Sequence, residues 1–433
     1  MSEQFERAKT LFFEGIGHFE AGRFEAAEAA FAASLAGVPG RASTLANLGA
    51  ARTQLGRWDA ALDALDQALA LEPTDVDAES HRGIAHAALG RHAEALASHQ
   101  RVLAIDPSRV ANRLRHGQAL MALGRQAAAL TNFDDVLRRQ PHHAEAHFQR
   151  GQALQFLERH GEALAAYEQA LAFDPTLGAA WSQRGGLLRD QDRLDEAAVS
   201  FEQAIANGAD PELNGYFLAS VTGRGAPAAA PLAYVEPFFD EYADAFERHL
   251  LGGLHYEAHT TLVHGLHGLD IKHFRAALDL GCGTGLCGPL VGPAVDHLDG
   301  VDLSRNMLEK ARRLGVYRHL VHAEIAEHLR RTAERYDLVL SADVFIYIGD
   351  LEEVFQGLRR VVDRSGIVGF SVEVTDDDRT FRLLPSLRYA HSERYLRDLA
   401  TRHGFTPCQF LRRPLREDQR RPVPGLFVYL QRD

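Results

Sequence analysis

Along the first half of the chain, small and apolar positions repeat with a period longer than any one helix. Glycine stands at 15, 49, 83, 117, 151 and 185, alanine at 27, 61, 95, 129, 163 and 197, and proline at 39, 73, 107, 141 and 175, each series stepping by 34 residues. Four residues after each alanine comes a bulkier side chain (Phe31, Leu65, His99, Phe133, Tyr167, Phe201), one turn along the buried face of a helix. The glycine lets a first helix pack closely on this second one. The proline ends the second helix, because it cannot continue the hydrogen-bond ladder. Gly22-Arg23-Phe24 and Gly56-Arg57-Trp58 close the hairpins. The pattern predicts six stacked helix pairs over about residues 8–211. Two steps depart from it: His99 replaces the usual aromatic, and the sixth step loses its proline, with Pro211 arriving two residues late.

Beyond residue 211 the period lapses. Residues 212–233 begin helically and become rich in Gly, Ala and Pro, the composition of a linker. Residues 234–251 place Phe238, Tyr242 and Phe246 one turn apart, the stripe of an amphipathic helix that packs on the next domain or closes as a lid over a pocket. Apolar runs of strand length follow, within 276–285, at 297–304, in a short run ending at Glu324 and Ile325, at 336–351 and at 364–374, with helical segments between them. Two more, within GFTPCQFLRR and VPGLFVYLQR, read as a closing antiparallel hairpin. The expected architecture is an all-α solenoid over 1–211, a linker over 212–233, and an α/β domain over 234–433.

The α/β part carries the chemistry. In AALDLGCGTG (276–285) a strand runs into a turn with glycines at 281, 283 and 285, where any Cβ would hold a ligand away from the backbone. The dinucleotide fingerprint requires Gly-x-Gly-x-x-Gly, but residue 286 is Leu. Asp279 before the turn suits an ammonium and would repel a pyrophosphate. Asp302 ends the next strand, placed to accept hydrogen bonds from both ribose hydroxyls. Ser304 caps the helix that follows. Asp343 lies at the carboxyl end of the fourth strand, where open α/β sheets bind ligands. Tyr389 and His391 fall on an expected loop before a helix capped by Ser392, placed to take or steer a substrate proton.

The 34-residue unit resembles the tetratricopeptide repeat. Gly-x-Gly-x-Gly with a preceding Asp resembles motif I of class I S-adenosylmethionine-dependent methyltransferases. Together, FFDEYADAFERHL, LDLGCGTGLCG, GVDLSRNMLEKA and YAHSERYL are similar to the bacterial group of methyltransferases with TPR repeats. That resemblance implies a Rossmann-like, seven-stranded sheet with an antiparallel closing strand, and S-adenosylmethionine as cofactor. It implies cofactor contacts from Asp279, Gly281, Cys282, Gly283, Thr284, Gly285, Asp302, Leu303, Met307, Glu324, Ile325 and Asp343, and from Tyr242 on the lid. Glu324 stands where the family commonly has Asp at the adenine. Asp343, Tyr389 and His391 are the catalytic candidates. No Asn-Pro-Pro-Tyr or Asp-Pro-Pro-Tyr motif is present, which argues against methylation of adenine or glutamine nitrogen. The solenoid implies a protein or peptide acceptor recruited by its groove. The alternatives are a small-molecule acceptor with the repeats used for oligomerisation, or a binding protein whose second half only senses cofactor.

Composition narrows this only a little. A formal charge of −12 disfavours a general nucleic-acid binder. No apolar run is long enough to span a bilayer. The polar N-terminus gives no sign of a signal peptide, and three cysteines without ligand spacing suit a reduced, cytoplasmic protein. Histidines at 249, 255, 259, 264, 267 and 273 lack an accompanying glutamate motif, so no metal is expected.

Overall fold

The computed structural model describes residues 3–242, 256–269, 273–377, 380–418 and 421–433. The chain divides into two compact units, Met1–Leu187 and Leu188–Asp433.

The first unit is a run of antiparallel helix pairs: α1 (Glu3–Glu20) with α2 (Phe24–Gly37), α3 (Ala42–Gln54) with α4 (Trp58–Leu71), α5 (Val76–Ala88) with α6 (His92–Ile105), α7 (Val110–Ala122) with α8 (Gln126–Arg139), and α9 (Ala144–Phe156) with α10 (His160–Phe173). Helix α11 (Gly178–Asp190) follows, and the unit boundary falls within it. The periodic glycines do what the sequence requires of them. A Cβ on Gly15 would sit 2.5 Å from Phe31, and one on Gly117 2.5 Å from Phe133. His99 fills the same position, with its ring 2.6 Å from where a Gly83 Cβ would be. It is 1% exposed, and its Nδ1 accepts from Asn112 Nδ2 at 3.2 Å. Burial holds its pKa down to about 4, so it packs as a neutral, hydrogen-bonded stand-in for the aromatic.

The second unit opens with α12 (Leu194–Ala206), α13 (Pro211–Thr222) and α14 (Leu232–Tyr242), followed by α15 (Ala258–Leu266). The αβ alternation then begins: β1 (Phe274–Leu280), α16 (Gly288–Val291), β2 (Val295–Asp302), α17 (Arg305–Arg313), β3 (His319–His322), α18 (Ile325–Arg331), β4 (Tyr336–Ser341), α19 (Glu352–Val361) and β5 (Val362–Thr375). The chain ends with β6 (Phe381–Leu383), β7 (Tyr389–Ser392), α20 (Glu393–Arg402), β8 (Phe405–Asp418) and β9 (Arg421–Arg432). Five parallel strands run in the order β3-β2-β1-β4-β5. β9 adds antiparallel to β5, and β8 to β9, which is the expected closing hairpin. The strand order reverses between β1 and β4, so the ligand crevice lies at their carboxyl ends. Two strands exceed the expected seven. β6 and β7 form a short hairpin on the last residues of β5, with Glu373 of β5 paired to Ala390.

Residues 212–233, read from composition as a linker, are ordered. Asp210 caps α13 by accepting from Leu213 N at 2.9 Å, and Pro211 stands in its first turn. After α13 the chain lies as a strap against the second unit's sheet. Ala228 O accepts from Gly349 N at 2.7 Å and Asp350 N at 2.8 Å, and Ala230 N donates to Tyr347 O at 2.9 Å. Tyr389 donates to Pro227 O at 2.8 Å, and Tyr216 to Leu387 O at 2.5 Å. The small alanine side chains that suggest flexibility are also what let the backbone lie this close. No described helix is long and apolar enough to cross a membrane.

Candidate active site

A cavity of about 720 Å³ opens at the carboxyl ends of β1, β2 and β4. One wall is the glycine turn. Gly281 has φ +69°, and a Cβ there would meet Val344 at 2.4 Å, so only glycine fits. Gly283 has φ +54° and nothing within 4 Å of where its Cβ would be, leaving open space for a ligand against the backbone. Its N–H donates to Asp302 Oδ2 at 2.8 Å, and Ser304 N donates to Oδ1 at 2.8 Å. Asp302 lines the cavity with each oxygen already held by one amide. Burial pushes its pKa up, and the amide hydrogen bonds oppose that rise.

Leu303, Met307, Glu324 and Ile325 line the same end. Met307 is fixed in the first turn of α17, whose cap Ser304 accepts from Met307 N at 3.1 Å. The Glu324 carboxylate caps α18, accepting from Ala326 N at 2.8 Å and Glu327 N at 2.7 Å. That explains why a glutamate is tolerated where a shorter aspartate was expected. Asp279, Cys282 and Thr284 are buried beneath the turn and, like Gly285, do not line the cavity. Asp279 accepts from Tyr317 OH at 2.7 Å. Burial, with a contribution from the Asp302 charge, pushes its pKa up to about 7 against the effect of that hydrogen bond.

The described part of the helix expected as a lid or a packing element, α14, contributes Val235, Phe238 and Phe239 to the cavity lining. Asp240 latches it to the cap of α17, accepting from Ser304 Oγ at 2.5 Å and Asn306 N at 3.2 Å. Tyr242 ends α14, but its side chain, like residues 243–251 of the expected lid, lies outside the described residues.

The catalytic candidates need correction. Tyr389 and His391 sit on β7 rather than a loop, are fully buried, and do not line the cavity. Tyr389 spends its hydroxyl on Pro227 O. His391 donates from Nε2 to Gly349 O at 3.0 Å, and burial lowers its pKa to about 4. Neither is placed to take a substrate proton. Asp343 does line the cavity, in a left-handed conformation at φ +59° that is held by its N–H donating to Ser371 Oγ at 2.8 Å. However, Arg416 Nη1 donates to both its oxygens, at 3.0 and 2.8 Å, and Nη2 pairs with Glu373. Asp343 is thus a member of a buried ion-pair network and is not a free base.

Sequence reasoning passed over Arg388 and Arg416, which are the two arginines of the lining, and Tyr256 beside them. No local motif marks these residues. The one available signal was a Tyr or Arg next to a strand end that was expected to bear a ligand.

A switch-point crevice, a ligand-sized cavity and a glycine turn tied to a strand-tip aspartate define a nucleotide-cofactor-binding α/β domain. Residues 277–366 match the family model described as a methyltransferase domain, and residues 47–110, 114–178 and 149–213 match that of the tetratricopeptide repeat. The chain carries tetratricopeptide repeats followed by a methyltransferase domain. It is 30% identical over 142 residues to a malonyl-[acyl-carrier protein] O-methyltransferase of Salmonella typhimurium, covering 31% of this chain and 54% of that protein. It is 29% identical over 111 residues to a trans-aconitate 2-methyltransferase of Rhizobium etli, covering 25% of this chain and 42% of that protein. The chain thus spans about half the length of the curated relatives it matches. A solved magnesium protoporphyrin IX methyltransferase from Synechocystis PCC 6803 gives a TM-score of 0.37 at 17% identity, over 47% of this chain and 99% of that one, a likeness too slight to bear on function.

Proposed function

We propose that the second unit binds S-adenosylmethionine in this cavity and directs its methyl group to an acceptor at the cavity's other end, and that the repeats recruit a protein or peptide carrying that acceptor. The supporting observation is the open space at Gly283 beside Asp302. A ribose fits there, with its hydroxyls donating to the lone pairs the backbone amides leave over, and Met307 and Ile325 flank the place for a flat base. The bound sulfonium supplies an electrophilic methyl carbon open to direct in-line displacement. The chain's own task is positioning and the exclusion of water by Val235, Phe238 and Phe239.

A stacked-helix array offers an extended concave surface, and a groove holding one part of an acceptor raises the local concentration of the rest near the donor. The malonyl-[acyl-carrier protein] O-methyltransferases act on a small group borne by a protein. An acceptor of that kind would use both halves of this chain. The reading fits a cytoplasmic enzyme.

Calorimetry on the full chain tests the cofactor half. S-adenosylhomocysteine should bind, and Asp302→Ala should weaken it by ~1.5–3 kcal/mol, the range for lost hydrogen bonds to a charged group. Unchanged affinity would move the ribose elsewhere, and NAD binding of equal strength would reject the cofactor assignment.

A further inference from the structure

The end of the cavity away from the glycine turn carries charges of both signs, Arg388 and Arg416 among Glu212, Asp343, Asp350, Glu352 and Glu353. Two arginines line it, and they are in different situations. Arg416 is saturated by Asp343 and Glu373. Arg388, half-buried in the β6–β7 hairpin, makes no ion pair among the described residues. Its guanidinium sits beside the Tyr347 hydroxyl, with Glu373 and Asp343 farther off and already claimed by Arg416. A guanidinium keeps its charge at any working pH; Tyr347, Glu373 and Asp343 favour that charge against burial, yet no carboxylate among the described residues pairs with it. Its planar fork matches a carboxylate in two-point contact.

A second observation is independent of the first. The described carboxylates lining this end are engaged except for Glu212 and Glu353, which are exposed, and Glu352 is held by Arg402 and His403. Asp343 is paired, Asp350 accepts from Tyr395 OH and Glu352 N, and burial keeps Tyr256 and Tyr347 protonated. An alcohol or ammonium acceptor must lose a proton before it can attack. A carboxylate has none to lose.

Taking the methyltransferase reading as given, we propose that the acceptor group is a carboxylate on an apolar body, gripped by Arg388 and the Tyr347 hydroxyl, and that the product is a methyl ester. One carboxylate oxygen forms the bond to the methyl carbon as the carbon–sulfur bond breaks, and its electron pair goes to sulfur. The negative charge of the carboxylate and the positive charge of the sulfonium cancel, and no proton moves. Val235, Phe238 and Phe239 provide the apolar surface for the body of the acceptor. A phosphate dianion fits less well, because it would bring two charges to a single guanidinium near Asp343 and Asp350.

The test uses the full chain saturated with S-adenosylhomocysteine and two matched probes, octanoate and octanol, titrated by calorimetry. Octanoate should bind at least about tenfold tighter than octanol, the equivalent of one charge-assisted hydrogen bond. Arg388→Gln should abolish that preference while cofactor-product affinity stays within about twofold. Arg388→Lys, which keeps the charge but loses the fork, should retain part of it, and melting curves check that both variants fold. A parent that binds octanoate no better than octanol overturns the proposal, and so does a preference that survives Arg388→Gln. Loss of S-adenosylhomocysteine binding in Arg388→Gln would put this arginine on the cofactor's own carboxylate and also overturn it. Failure of the parent to bind S-adenosylhomocysteine is a separate result, seen before either probe is added, and it would remove the methyltransferase reading itself.

Discussion

The strap after α13 forms one wall of the cavity, and Tyr216 is the residue whose removal should loosen it. Tyr216 is 1% exposed and donates to Leu387 O at 2.5 Å, and its ring centroid lies 5.8 Å from that of Tyr234 and 6.3 Å from that of Tyr389. Tyr216→Phe keeps the ring and leaves the Leu387 carbonyl without its donor, at a cost of about 1–2 kcal/mol. Tyr216→Ala also removes a buried aromatic, for about 3–5 kcal/mol. Both losses should appear locally, because the amides of Ala230, Gly349 and Asp350 are tied across the strap. Hydrogen exchange in peptides covering 226–232 and 344–351 reads their opening directly. At equilibrium opening, 1–2 kcal/mol corresponds to roughly 5- to 30-fold faster exchange for Tyr216→Phe, and Tyr216→Ala should exceed about 100-fold. Peptides from the first unit should not change. If Tyr216→Ala leaves exchange at 344–351 as it was, the strap is held by something other than this cluster, and the account of the wall is wrong.

Two other predictions concern the core of each unit. Gly15 and Gly17 share helix α1, yet a Cβ at Gly15 would strike Phe31 at 2.5 Å, while one at Gly17 meets nothing within 4 Å. Gly17→Ala should therefore stabilise the array by about 0.5–1 kcal/mol through helix propensity, and Gly15→Ala should fall about 1–3 kcal/mol below it through overpacking; equal melting temperatures would refute the packing argument. Asp279 has its folded pKa raised to about 7, so its contribution to stability is fully present below the ordinary carboxylate pKa and is lost as pH rises through 7. Asp279→Asn should then be more stable than the parent at pH 8, by up to the order of 4 kcal/mol, with the gap closing near pH 4 in urea titrations; a gap independent of pH would mean that the carboxylate titrates alike in the folded and unfolded chain.

What the sequence made legible was whatever one turn or one repeat encodes. The glycine at each of the first five 34-residue steps and the bulky residue sixteen positions later meet across a single hairpin, so their periodicity alone reported the contact, His99 included. The turn at 281–285 and the cap at Ser304 are equally local, and the strands flanking them lie where their apolar runs do. The lining at the glycine end was accessible for the same reason, except that Asp279, Cys282 and Thr284 are buried beneath the turn. Alternation along the backbone decides which side a residue takes, and the motif does not state it.

The acceptor end was not legible, because its residues come together only when distant segments meet. Arg416 reaches Asp343 across 73 positions and Glu373 across 43, and Tyr216 reaches Leu387 across 171. Tyr389 and His391 look catalytic in sequence because a tyrosine and a histidine near an expected strand end are the usual proton carriers. Two very short strands, Phe381–Leu383 and Tyr389–Ser392, instead pull them into the sheet, below the length at which alternation can be read. Once buried, Tyr389 spends its hydroxyl on the Pro227 carbonyl and His391 its Nε2–H on the Gly349 carbonyl, which leaves His391 Nδ1 without a partner. The same hairpin that hides these two carries Arg388 into the lining. An acid–base pair expected from the sequence thus gives way to an arginine in the lining beside Arg416, a change that only the three-dimensional pairing of β6 and β7 makes visible.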